Sequence, residues 1–219
     1  MNFKAALFDL DGTLHDRAET IRRYLAGHVR RFGLPAGYAE RWTVLDDLGY
    51  RSKAEVFPQL VAEFGLKQGP QVLLQDFSDH AWEDVALMPY AHEVLRDLRL
   101  RGLKLGIVTN GWSEKQRRCM SGLGLADAFD TVVVSREVGY AKPEPRIYAL
   151  ALEQLGVQAA ETLFVGDSPT NDVWGPQQVG MEAALFPGGH ALPEHIRPDY
   201  LLNDLLDVLE IVQGSNPPG

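Results

Sequence analysis

From Met88-Pro89 onward the sequence alternates short apolar runs with helical stretches, and that rhythm restricts the possible folds more than any other feature. A helix with Val94, Leu95 and Leu98 on one face leads through Gly102 into a strand over Leu103–Val108. A helix over Ser113–Leu123 precedes a strand over Thr131–Val134, and another near Pro145–Leu155 precedes Thr162–Val165. Shorter strands follow at Glu182–Phe186 and Tyr200–Leu202, with a last helix ending near Val212. One further strand, Lys4–Leu10, opens the chain and stops at Asp11-Gly12-Thr13. Short apolar strands separated by helices form a parallel sheet covered on both faces. The expected fold is therefore α/β, a doubly wound, Rossmann-like parallel sheet.

The segment after the first strand reads differently. Ile21, Tyr24, Leu25, His28, Val29 and Phe32 recur at helical spacing, and Gly33 is placed to end that helix. Further helices are expected over Ala39–Leu48, Ser52–Phe64 and Pro70–Ala86, with Pro58 breaking or bending the middle one. No strand pattern interrupts them. The expected division is an α/β core of residues 1–14 and 87–213, an inserted all-helical module of residues 15–86, and a disordered tail, Gly214–Gly219.

Charge and composition narrow the partners. The chain has 219 residues, with 21 Lys and Arg against 30 Asp and Glu, a net charge of -9. Such a chain repels nucleic acid and anionic membranes, so neither is an expected partner. It also repels a phosphate ester, so an anionic ligand needs cationic groups gathered locally. Cys119 is the only cysteine, which leaves no internal disulfide. Asp9 and Asp11 interrupt the apolar opening, unlike a signal peptide, and no run approaches the roughly 18 apolar residues of a membrane span. The expected location is cytoplasmic.

Polar residues gather where the expected strands end. Asp9 and Asp11 close the first, Thr109-Asn110-Gly111 the second, and Gly166-Asp167-Ser168 follows Thr162–Val165. In an open parallel sheet these ends share one edge, where ligands bind. Asp9, Asp11, Asp167 and Asp172 would crowd there and repel one another unless a cation were bound. Carboxylate oxygens suit Mg²⁺, and Lys142 would add a permanent positive charge. A divalent ion and a lysine facing a nucleophilic carboxylate suit phosphoryl transfer.

These segments carry a resemblance. Phe8-Asp9-Leu10-Asp11-Gly12-Thr13-Leu14 resembles the first motif of the haloacid dehalogenase superfamily, in its phosphatase form. Ile107-Val108-Thr109-Asn110-Gly111 resembles the second motif, Lys142-Pro143-Glu144-Pro145 the third, and Val165-Gly166-Asp167-Ser168-Pro169-Thr170-Asn171-Asp172 the fourth, all in the family's order. The resemblance implies that Asp9 attacks phosphorus and forms an aspartyl-phosphate. Asp11 would protonate the leaving oxygen, later activate water, and bind the metal through its carbonyl. Thr109 and the N–H of Asn110 would hold phosphate oxygens, and Lys142 would neutralise Asp9 and the phosphate. Asp9, Asp11 and Asp167 would hold Mg²⁺, with Asp172 orienting the site from behind them or through a water.

The helical module sits where the superfamily places a cap that closes over the crevice, which implies a small-molecule phosphomonoester as substrate. Thr109-Asn110-Gly111 with Gln116, and Ser135-Arg136-Glu137-Val138-Gly139 before Lys142, resemble a branch that includes pyrimidine 5′-nucleotidases and N-acylneuraminate 9-phosphatases. Dehalogenating members lack the second carboxylate, so Asp11 points to phosphate chemistry, and Thr13 fits the phosphatase pattern better than the mutase one. A sugar phosphomutase and a non-catalytic binding or regulatory member stay open as alternatives. His15, directly after the nucleophile loop, could contact the substrate but is expected rather on the loop surface, and His28 is expected packed in its helix. Trp42, Tyr50, Arg51, His80 and Trp82 are given no role, and Cys119 is expected to be structural.

Overall fold

The structure, a computed structural model, describes residues 3–186 and 191–214. Its strands are β1 Ala5–Phe8, β2 Lys104–Thr109, β3 Thr131–Val134, β4 Thr162–Gly166, β5 Glu182–Leu185 and β6 Tyr200–Leu201. They form one sheet in the order β3-β2-β1-β4-β5-β6, and every neighbouring pair is parallel. This is the expected doubly wound α/β arrangement. The order reverses beside β1, the place where an open parallel sheet leaves a crevice at its carboxyl edge.

Both faces of the sheet are covered. Ala5 and Leu7 of β1, with Val108, Val133 and Phe164, pack against Ile147, Tyr148, Ala151 and Leu155 of a helix over Pro145–Leu155. Ala6 and Phe8 point the other way and are also fully buried. On that side a helix over Ala91–Leu100, driven inward by Val94, Leu95 and Leu98, lies against β2.

The chain separates into two compact units, one built from the residues up to Asp16 and from Leu87 onward, the other from Arg17–Ala86. The second unit contains α1 Arg17–Phe32, α2 Tyr38–Asp46, α3 Lys53–Phe64 and α4 Pro70–His80. Its core is aromatic: Tyr38, Trp42 and Phe57 are fully buried, and His28 is packed among them as expected. In chain order the other unit's helices are α5 Ala91–Leu100, α6 Ser113–Gly122, α7 Ser135–Val138, α8 Pro145–Leu155, α9 Gly175–Gln177 and α10 Asp207–Val212. Among the described residues no helix is long and apolar enough to cross a membrane.

Several boundaries differ from the sequence reading. β1 ends at Phe8, because the Leu10 carbonyl accepts N–H bonds from Thr13, Leu14 and His15 and wraps the chain into a tight loop. Pro58 leaves α3 as one helix from Lys53 to Phe64, where the buried Val56, Phe57 and Leu60 on either side of it supply the packing. α4 stops at His80 instead of Ala86, and the Ala86 N–H donates to Thr20 Oγ1 at 2.8 Å, tying the exit to α1. The short α7, α9 and a π-helical turn over Pro169–Trp174 were not expected. Of the expected tail, residues 215–219 lie outside the described residues.

Candidate active site

Strand register builds the site. Phe8 lies opposite Ile107 of β2 and Val165 of β4, so Asp9, Thr109 and Asp167 all emerge at the same edge. The Asp9 N–H is held by the Val165 carbonyl at 2.9 Å. Two glycines permit the close approach that follows. Gly12 has φ +89°, and a Cβ there would collide with the Asp167 carboxylate. A Cβ on Gly166 would collide with the Asp172 side chain.

Lys142 is the hub of this edge. Its Nζ lies 2.7 Å from Asp9 Oδ1 and 2.7 Å from Asp172 Oδ1, and its side chain is 2% exposed. The loop delivering it is clamped by Asn110, whose Oδ1 accepts the Lys142 N–H at 2.9 Å and whose Nδ2 donates to the Lys142 carbonyl at 3.0 Å. The Lys142-Pro143 peptide is cis. Asp172 Oδ2 accepts the N–H groups of Asp167 at 3.1 Å and Ser168 at 2.9 Å, fixing the loop that presents Asp167.

The cluster carries more negative charge than its lysine balances. Burial pushes the Asp9 carboxyl up to about 7; the facing Lys142 opposes this, while Asp172 and Asp11 add to it. Asp167 is pushed up to about 8 by burial, then by Asp9 and Asp172. The same carboxylates hold the Lys142 ammonium well above its ordinary value, although burial alone would lower it. Oxygens of Asp9, Asp167 and Asp172 lie within 4.8 Å of one another. Asp172 is already engaged by Lys142 and two N–H groups, which leaves Asp9 and Asp167 as the carboxylates with capacity for a cation. An all-oxygen, electron-rich set of this size fits Mg²⁺.

Asp11 is held apart from that trio. Its Oδ1 lies 2.6 Å from His15 Nδ1, and its Oδ2 receives Lys115 Nζ at 3.1 Å and Gln116 Nε2 at 3.2 Å. The expectation for His15 is corrected here. It is fully buried, because residue bridges to Asp11 and Leu87 draw its backbone inward. Cys119, also buried, lies beside Asp11 and His15; burial and then the Asp11 charge push its thiol up, so it stays a protonated, packed side chain. Thr109 is buried at the end of β2, and its hydroxyl accepts Gln116 Nε2 at 2.7 Å. Sequence reasoning missed Lys115 as a partner of Asp11. The available signal was its place in the first turn of a helix that begins just after the Thr109 strand end.

Comparison with known proteins gives concordant results. A family profile described as haloacid dehalogenase-like hydrolase matches residues 3–180. A glyceraldehyde 3-phosphate phosphatase of Methanocaldococcus jannaschii is 30% identical over 96% of this chain and 97% of its own. Among solved structures, a haloacid dehalogenase-type phosphatase from Thermococcus onnurineus is 31% identical with a TM-score of 0.67, covering 98% of this chain and 100% of that one. A magnesium-bound hydrolase from Bacillus subtilis shares the fold with a TM-score of 0.83 at 24% identity, covering 97% and 99%.

Proposed function

This chain belongs to the haloacid dehalogenase-like hydrolase family, and from that premise we propose that it is a magnesium-dependent phosphatase acting on a small phosphomonoester. One observation carries the reading. A buried nucleophile candidate, Asp9, is paired with a buried lysine and lies beside Asp167, while a second carboxyl, Asp11, stands two residues away on separate supports.

The residues divide the work as follows. Asp9 attacks phosphorus and forms an aspartyl-phosphate as the ester oxygen leaves. Asp11 gives that oxygen a proton, then takes one from the water that hydrolyses the intermediate. The Thr109 hydroxyl and the Asn110 N–H hold phosphoryl oxygens. Lys142 offsets charge on Asp9 and on the phosphoryl group, and Asp172 keeps Lys142 and the Asp167 loop in place. When bound by Asp9, Asp167 and the Asp11 carbonyl, magnesium supplies positive charge against the transferring oxygens. The relatives named for glyceraldehyde 3-phosphate make a triose phosphate the first ester to try, ahead of nucleoside monophosphates and other sugar phosphates.

The test is phosphate release across a panel of metabolite monoesters, with and without Mg²⁺. Wild type is expected to release inorganic phosphate only with the ion, and Asp9→Asn to lose more than about 10³-fold in kcat while remaining folded. Retained turnover in that variant would contradict the reading. Free phosphate as product also separates a hydrolase from a phosphomutase.

A further inference from the structure

Three oxygens of the site converge on one side-chain amide. Gln116, in the first turn of α6, is fully buried, and its Nε2 lies 2.7 Å from Thr109 Oγ1, 3.2 Å from Asp11 Oδ2 and 3.4 Å from the Asn110 carbonyl. A carboxylate and a carbonyl only accept, so they dictate which face of the amide is turned toward them. The neighbouring loop is moulded on this group: a Cβ at Gly111 would lie 3.3 Å from Gln116 Cδ. The amide oxygen Oε1, by contrast, has no partner among the described residues. A buried carbonyl left unanswered is destabilising, and a methionine would fill a similar volume without that cost. Packing therefore gives no reason for a glutamine at this position. The groups it holds do.

We propose that Gln116 is a positioning residue that fixes the Asp11 carboxyl relative to the Thr109 hydroxyl, so that the leaving oxygen meets its proton donor while the phosphoryl group is held. The inference rests on the phosphatase reading above. By donating to Thr109 Oγ1, Gln116 leaves that hydroxyl's own proton free to point at a phosphoryl oxygen. By donating to Asp11 Oδ2, it fixes the second oxygen of a carboxyl whose first is held by His15. Lys115 reaches the same Oδ2, but from a long stem that is 28% exposed. Gln116 is the one donor that touches both Asp11 and Thr109 among the hydrogen bonds of the described residues.

The leaving group separates this role from a structural one. p-Nitrophenolate departs without being protonated, whereas an alkoxide does not. Wild type, Gln116→Met and Gln116→Glu are compared with Mg²⁺ on p-nitrophenyl phosphate and on glycerol phosphate, alongside thermal midpoints. In Gln116→Met the ratio of kcat/KM for the alkyl ester over the aryl ester is expected to fall about 10- to 100-fold, with a midpoint level with or above wild type. Gln116→Glu keeps the shape but loses the donor, should show the same selective loss, and carries the test if the methionine variant does not fold. Equal proportional losses on both esters, or an unchanged ratio with a lowered midpoint, overturn the proposal. Wild type releasing phosphate from no ester of the metabolite panel, these two included, overturns the phosphatase reading itself, before any variant is made.

Discussion

At the scale of single residues, Lys142 decides whether this edge of the sheet is tolerable at all. Its ammonium is buried between Asp9 and Asp172, each at 2.7 Å. Removing one partner of a buried ion pair leaves the other charge uncompensated, so Lys142→Met is expected to cost about 3–5 kcal/mol of stability as well as activity. Urea denaturation measures it, and an unshifted midpoint would mean that the two carboxylates are neutralised by something else. Asp9, Thr109 and Asp167 were legible in the sequence because each sits at or just past the end of an apolar strand, where topology alone brings them together, whereas Lys142 and Asp172 lie beyond the strand ends and were legible only from segments that resemble family motifs. His15 was not. Its place on the loop after the first strand suggested solvent, and its backbone bridges, to Asp11 and to Leu87 72 positions along the chain, go with its burial.

At the scale of elements, the helical unit is tied together by a buried polar network that helical spacing could not announce. The Asp76 carboxylate on α4 receives Tyr24, His28 and Arg31 of α1, with His28 Nδ1 at 2.6 Å and Arg31 Nε at 2.7 Å. His28 Nε2 lies 3.3 Å from the Tyr38 hydroxyl of α2, and His80 stands 3.8 Å from Asp76. The pattern along α1 gave its inward face correctly, but a pattern of apolar positions carries no information about which distant carboxylate will answer a histidine on that face. Burial holds the His28 imidazole below its ordinary value, against the opposing pull of Asp76. Burial would raise Asp76, yet the bonds from Arg31, His28 and Tyr24 outweigh it and hold that carboxyl below the usual range. The signs agree. An unfolded chain takes up a proton on His28 near about pH 6.5 and on Asp76 near about pH 4, each before the folded unit does. Stability of this unit is therefore expected to fall as the pH drops below about 6.5, and to fall again below about 4. Hydrogen exchange of α1 amides at pH 7.5 and pH 5.5 reads the first step, and His28→Gln should abolish the part that comes from the imidazole. An equal drop in that variant would assign the step to other histidines.

At the scale of the whole molecule, a net charge of -9 gives every divalent cation some general affinity for the surface, so magnesium binding has to be distinguished from a diffuse counterion effect. The site makes the distinction possible, because Asp167 is pushed up to about 8 by burial and by Asp9 and Asp172, a strain that a bound ion would relieve. A ligand that binds only the folded state stabilises it by about 2.7 kcal/mol at a hundredfold excess over its Kd. For a chain of this length that corresponds to a rise in thermal midpoint of about 5–10 °C. The expected result is a rise of that size in MgCl₂ over NaCl of matched ionic strength. Asp167→Asn should melt higher than wild type without the ion, since the cost of burying an ionisable carboxyl beside Asp9 and Asp172 is gone, and should lose the response to magnesium. A variant that keeps the full magnesium shift would show the ion acting on the acidic surface at large, and the carboxylate edge of the sheet would then be a charged crevice without a metal.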